Sequence, residues 1–302
     1  RDRDVTGVQT CALPISARLA DAGATREFAV PLVVVGDGAA EVRCTEVAGG
    51  WAVDNGEFAF TAGGGVQAAV HSLVWRGAER LHASWPEARP FAEWNPWRGG
   101  LYPWLAWSEA PWWAAQASTI DVVERVGAGG RRWRGVRLTA EPSHHDQSWR
   151  RLETEFLTTG GSNLLAVVQR HTNLTSAPQR GECGLNLSLA AAADGRPARV
   201  HYLPADGEER AYTCEPTGRG QSRLHWVAAE GAGGDGVITW VGTHPDGDLR
   251  FDSRLQAGLT LDRSTWRDLD PGESHEVVGW LVLADDVEQA RLYRALGGVG
   301  LV

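Results

Sequence analysis

Along most of the chain, apolar and polar residues alternate with the two-residue period of a strand, in short runs stopped by Gly, Asp and Pro. The runs at 27–35, 51–53, 57–60, 67–75, 120–126 and 132–139 predict strands. So do those at 149–158, 162–172, 184–190, 199–203, 223–228, 237–243, 255–261 and 275–283. Turn signals separate them: Thr159-Gly160-Gly161, Asp194-Gly195 and Asp246-Gly247, with glycine clusters at 127–130 and 233–236. One stretch has helical spacing instead: Val287, Ala290, Leu292, Tyr293 and Leu296. Asp285-Asp286 stands before it as a cap and Gly297-Gly298 ends it. Many strands with few helices predict an all-β protein, a large antiparallel sandwich or barrel closed by a short C-terminal helix.

Composition narrows the partners. The 302 residues carry a net charge of −9, and all 29 basic residues are Arg. An acidic chain with no basic run argues against nucleic acid and anionic membrane surfaces. No apolar stretch approaches the ~20 residues of a membrane span. Absence of Lys beside abundant Ala, Gly and Arg points to a GC-rich bacterial genome. Cys44, Cys183 and Cys214 are far apart and lack CxxC spacing, which argues against zinc.

The opening is unusual. Val5 to Ser16 reads VTGVQTCALPIS, which resembles the translation of a sequencing-library adapter, and the chain has no Met. Residues 1–16 are therefore expected to be an artefact. Setting them aside removes Arg1, Asp2, Arg3 and Asp4 and leaves the net charge unchanged. The expected organisation is 17–48 as the tail of a lost upstream domain or extra strands, then a sandwich domain over 49–302. The compartment stays open.

From Trp51 onward the order of features resembles the galactose mutarotase-like β-supersandwich superfamily. The residues that carry the likeness are Trp51-Ala-Val-Asp-Asn55-Gly-Glu-Phe58 and Val70-His-Ser-Leu73-Val-Trp-Arg-Gly77-Ala-Glu79-Arg-Leu81. Further on come Ser162-Asn-Leu-Leu-Ala-Val-Val-Gln-Arg-His171-Thr-Asn173 with Pro178, and Leu269-Asp-Pro271-Gly272-Glu273 leading to Trp280-Leu-Val-Leu283. The resemblance covers roughly 51–296 and implies a two-sheet supersandwich with a concave carbohydrate-binding face. Epimerases of that superfamily carry a His that falls here near Cys183-Gly184-Leu185, and a Glu that falls near Leu261-Asp262. Neither residue is present.

The densest chemical feature is Glu93 to Trp113, EWNPWRGGLYPWLAWSEAPWW, six of the chain's 15 Trp. Indole faces stack on pyranose C–H faces, while Asn and Arg give directional hydrogen bonds. Trp94, Asn95, Trp97, Arg98, Tyr102 and Trp107 are the expected ligand residues, with His171 from the central strand. A second constellation, Ser143-His144-His145-Asp146, precedes a strand on which Arg151, Glu153 and Glu155 share one face. His144 or His145 with Glu155 is the candidate acid–base set. No metal or cofactor is expected: there is no HxH, HExxH, Walker or GxGxxG spacing, nor a GxSxG elbow.

Three readings stay open. The chain is a carbohydrate-binding module of a larger bacterial protein, a carbohydrate-active enzyme of epimerase, lyase or hydrolase type, or a purely structural sandwich. The first draws on the absent epimerase His.

Overall fold

The computed structural model describes residues 11–21, 24–35, 40–66, 68–91, 94–104, 117–143, 147–190, 199–204, 207–213, 220–231, 236–242, 248–252, 258–297 and 299–301. Strands dominate them. Among the described residues, the first elements are β1 (Cys11–Asp21) and β2 (Ala24–Val34), a hairpin whose strands pair with each other and with no other described strand. Residues 11–16 thus supply the first half of β1, opposite 29–34.

A meander follows: β3 (Arg43–Val47), β4 (Gly50–Asp54), β5 (Phe58–Gly63), β6 (Gly65–Val66), β7 (Ala69–Trp75) and β8 (Ala78–Glu79). β3 lies on the upstream side of the boundary expected at residue 48, yet pairs along its length with β4. Next come β9 (Arg89–Phe91), β10 (Trp94–Trp97), β11 (Leu101–Trp104), β12 (Ala117–Val126), β13 (Arg132–Ala140), β14 (Arg150–Thr158) and β15 (Leu164–Asn173). The chain continues through β16 (Gln179–Ala190), β17 (Arg199–Pro204), β18 (Arg210–Thr213), β19 (Gly220–Glu230) and β20 (Val237–Gly242). It ends with β21 (Asp248–Asp252), β22 (Gly258–Leu269), β23 (Ser274–Ala284) and helix α1 (Val287–Leu292), which tightens into a 3-10 turn over Tyr293–Leu296.

Every pairing is antiparallel, and 19 strands join in one network folded into two layers. The first layer runs β12–β13–β14–β15–β23–β20–β19–β17–β18. The second runs β3–β4–β5–β7–β11–β16–β22–β21. β19 belongs to both, because its start pairs with β21 and its end with β17 and β20.

Alternation decides what fills the space between the layers. Val136, Leu138, Phe156, Leu165, Val167, Leu281 and Leu283 enter it from the first layer. Phe58, Phe60, Val70, Leu73, Leu101, Leu185 and Leu187 enter from the second. Residues one step out of phase in the first layer, such as Leu157, Ala166, Val168, Trp280 and Val282, turn outward into a second cluster. α1 and the 3-10 turn cover that cluster with Val287, Ala290, Tyr293 and Leu296, and Val33 and Val35 pack there too. Asp286 caps α1 by accepting from Gln289 N at 2.8 Å, and Gln289 Oε1 accepts from Asp285 N at 2.6 Å.

The residues that carried the superfamily likeness are the joints of this frame. Asn55 is fully buried; its amide donates to Thr158 Oγ1 and Ser162 O, both at 2.7 Å, and its Oδ1 accepts from Glu57 N and Phe58 N, both at 2.9 Å. Glu79 closes the β7–β8 hairpin by accepting from Leu73 N and Leu81 N, each at 2.9 Å. Asn173 ties its own turn to the end of β22, donating to Ala177 O at 2.9 Å and Leu269 O at 3.1 Å.

The strands at 43–47, 89–91, 94–97, 101–104, 210–213 and 248–252 were not expected, and β22 runs well beyond the expected 255–261. Pro90, Pro96 and Pro103 interrupt the apolar rhythm of three of them. Proline is tolerated there because the strands are short, and on β11 the pairing with β7 is at Leu101 rather than at Pro103.

Candidate functional site

The face of the second layer turned away from the core is built by the other half of the alternation. On β16, Leu185, Leu187 and Leu189 point into the core, so Asn186 and Ser188 fall on the opposite face. Both are nonetheless nearly covered, with 6% and 2% exposure. Ser188 Oγ donates to Asn186 Oδ1 at 3.4 Å. Tyr102 of β11 sits directly opposite Asn186 and is 7% exposed. On its other edge Asn186 is registered opposite Asp262 of β22, and Asp262 opposite Arg250 of β21. Tyr102, Asn186, Asp262 and Arg250 therefore form one register row across four adjacent strands. The two places where superfamily epimerases carry His and Glu, near Cys183–Leu185 and Leu261–Asp262, are neighbours in this ladder, since Leu185 pairs with Arg263 and Leu187 with Leu261.

One edge of the face is closed by the segment after β8. His82 N donates to Ser188 O at 2.8 Å and Gly100 N to His82 O at 2.8 Å. Gly100 has φ +84°, and a Cβ there would lie 2.3 Å from Val70 O, so this close approach of two backbones requires glycine. Trp85 stacks on His71 of β7 with ring centroids 5.0 Å apart and planes 13° from parallel. Arg98 Nε donates to Pro86 O at 3.0 Å, with the guanidinium carbon 5.9 Å from the Trp85 ring centre. Burial pushes the imidazoles of both His71 and His82 below the ordinary histidine range. The stacked imidazole and indole, with the Arg98 guanidinium beside them, give this edge an aromatic and polar rim.

The structure brings Arg98 and Tyr102 to the same region, one at the rim and one in the row. The backbone of Trp94, Asn95 and Trp97 forms β10, antiparallel to β9; their side chains lie outside the described residues, as do Trp107, His144 and His145 altogether. Two further candidates are placed elsewhere. His171 lies on the core-facing side of β15, fully buried. Glu155 lies on the outward side of β14, also buried, at 2% exposure.

Glu155 is the centre of an ionic lattice rather than of a cleft. Arg137 donates to its Oε1 at 2.9 and 2.7 Å, and Arg125 Nε approaches Oε2 at 2.5 Å. Arg125 also forks onto Glu276, with both nitrogens at 3.0 Å, and Arg170 reaches Glu276 at 2.8 Å. Burial pushes the Glu276 carboxyl up, but hydrogen bonds from Arg125 and Arg170 outweigh it and hold the group below the usual carboxylate range. Arg151, Glu153 and Glu155 do share a face as expected, and neighbouring strands neutralise the carboxylates.

Asn186, Ser188, His71 and Trp85 were not among the expected residues of this region. The signal for the first two was present: Gly184-Leu-Asn-Leu-Ser-Leu189 sets polar residues at every second position inside an apolar strand.

No family model matches the chain, and no curated protein matches it. Solved structures do. A putative aldose 1-epimerase from Klebsiella pneumoniae superposes with TM-score 0.62 at 10% identity, over 83% of this chain and 84% of that one. A galactose mutarotase-like protein from Lactobacillus casei gives 0.54 at 12% identity, over 80% of this chain and 100% of that one. A TPR-domain containing protein from Parabacteroides distasonis gives 0.58 at 12% identity, over 92% of this chain. The present chain spans 54% of that longer protein. The chain has the galactose mutarotase-like β-sandwich fold.

Proposed function

We propose that the chain is a carbohydrate-binding β-supersandwich module of a larger bacterial protein, holding sugar on the face of the second layer turned away from the core. The observation that carries this reading is the row of Tyr102 and Asn186, with Ser188 beside it: polar side chains nearly covered on a face that is not the core. Hydroxyl and amide groups fixed by a sheet match the in-plane hydroxyls of a sugar ring. The indoles of Trp94, Trp97 and Trp107, with Asn95 and Arg98, supply the stacking partners and the rim. The place where epimerases of this superfamily have a His falls near Cys183-Gly184-Leu185, and no His stands there. That supports binding without turnover. The longer Parabacteroides structure, of which this fold makes up about half, supports a neighbouring domain in the same polypeptide.

The test is calorimetric titration against a panel of neutral monosaccharides and oligosaccharides, with Asn186→Ala and Trp97→Ala alongside. The expected result is binding by the parent and at least a tenfold loss in each variant, worth about 1.4 kcal/mol, at unchanged melting temperature. No binding across the panel would overturn the reading. Polarimetry on the same samples tests for chemistry: turnover lost in His144→Ala or His145→Ala would replace the module with an enzyme.

A further inference from the structure

At the end of the sandwich that holds the Asn173 turn, polar side chains join the apolar ones in the core. His171 has 0% exposure, and neither ring nitrogen meets a hydrogen-bond partner. A buried imidazole in that state is uncommon, since buried polar groups are nearly always satisfied.

Its surroundings come from five strands. On β15 itself, Gln169 and Asn173 share its face, and Gln169 Nε2 crosses to Gly184 O of the second layer at 2.8 Å. From β14, Arg150 enters fully buried, bonded to Gln147 Oε1 and 5.1 Å over the Trp149 ring; buried Leu152 stands directly opposite His171, and buried Thr154 opposite Gln169. From β23, His275 is registered directly opposite His171, the two rings edge to face at 6.0 Å. From β22 in the other layer, Arg267 Nε donates to His275 Nε2 at 3.4 Å. From β16, Gly181 pairs with Arg267 and lets Trp149 and Arg150 press close, since a Cβ there would lie 2.5 Å from Trp149 Cζ2.

Two consequences follow from the chemistry. The Arg267–His275 bond joins the layers and uses the lone pair on Nε2, so it exists only while His275 is unprotonated there. The titratable groups acting on His171, Arg150 and His275, are both basic. A proton on His171 would add a cation to a buried space already holding a guanidinium.

We propose that His171 and His275 form an acid-released latch between the two layers. Closed while both imidazoles are neutral, it frees the 147–152 and 267–276 segments when they take up protons. Burial first, then Arg150 and His275, holds the His171 imidazole down at about 3, against 6.5 ordinarily. The closed form therefore keeps its full advantage above about pH 6.5 and loses up to about tenfold in population per unit as the pH falls from there toward 3. The latch is independent of what the outer face binds.

Hydrogen exchange on the full chain at pH 7 and pH 5, corrected for intrinsic rates, tests it. The wild type should open at 147–152 and 267–276 by about tenfold or more at pH 5 while β13 stays protected. His171→Leu combined with His275→Gln should abolish the difference, because Gln still accepts from Arg267 and neither residue titrates. Equal opening in that variant, or opening spread uniformly over the molecule, would overturn the proposal. If the variant does not fold, nuclear magnetic resonance titration of the wild-type imidazoles decides: His171 protonating at or above pH 6.5 in the folded protein would also sink the latch.

Discussion

Asn55 shows how much one side chain can hold. It joins the β4–β5 turn of the second layer to Thr158, Thr159 and Ser162 of the first through three donor contacts and accepts two backbone N–H groups. Replacing it by Ala strands buried partners, and a loss of about 3 kcal/mol is expected in urea unfolding. Glu155→Gln makes a sharper comparison. It keeps the volume but leaves Arg125 and Arg137 with one carboxylate fewer in a covered lattice. Breaking one partner of a buried pair costs about 3 kcal/mol, so the variant should melt earlier while sugar binding by the outer face is unchanged. Equal stability with lost ligand binding would return Glu155 to the site. At this scale the sequence is ambiguous for a physical reason. A His inside an alternating strand reads the same whether it lines a cleft, as expected of His171, or is sealed in the core, as found.

Elements were most legible where alternation was clean. β13, β14, β15 and β23 appear within a few residues of their expected bounds because one face of each packs on Val, Leu and Phe. β9, β10 and β11 were hidden because Pro and Trp break the rhythm that reveals a strand. β22 continues as Asp262-Arg-Ser-Thr-Trp-Arg-Asp268, which has too few apolar positions to signal itself; pairing with β16 along its whole length holds it extended. The Asn186–Asp262 register is likewise invisible in one strand alone, since it depends on how two distant segments align. The C-terminal helix was visible through both its period and its cap. Asp286→Ala removes the acceptor for Gln289 N and should cost about 1 kcal/mol, seen as faster exchange across 287–292 with the strands unaffected. Asn163 gives the same helix a second anchor, donating to Tyr293 Oη at 2.9 Å and Leu283 O at 2.5 Å.

For the molecule as a whole, the buried His171 and the acidic surface contribute to the pH response with opposite signs. The acidic surface would repel itself more as the pH rises, whereas His171 works the other way. Its folded-state pKa lies below the ordinary value, so its contribution is complete above about pH 6.5 and falls by about 1.4 kcal/mol per unit below it. Denaturant midpoints should thus decline between pH 6.5 and 4.5 in the wild type, and decline less in His171→Leu. An identical decline in both would assign acid sensitivity to the carboxylates instead. The fold class and the closing helix were readable from period and punctuation, and the two layers only through the superfamily resemblance. The order of strands in the layers was not, since sequence period says which face is buried but not which neighbour buries it.

The pairing of β15 with β23, Leu164 opposite Val282 through to Thr172 opposite Ser274, has a consequence for synthesis. On the ribosome, β15 emerges about a hundred residues before the strand that completes it, and contacts so distant along a chain close slowly. During that interval Leu164-Leu-Ala-Val-Val168 is an apolar edge with only β14 beside it. Such an edge can recruit a second nascent chain. Chains stopped before residue 274 should therefore accumulate as aggregates, and slowing translation should not rescue them.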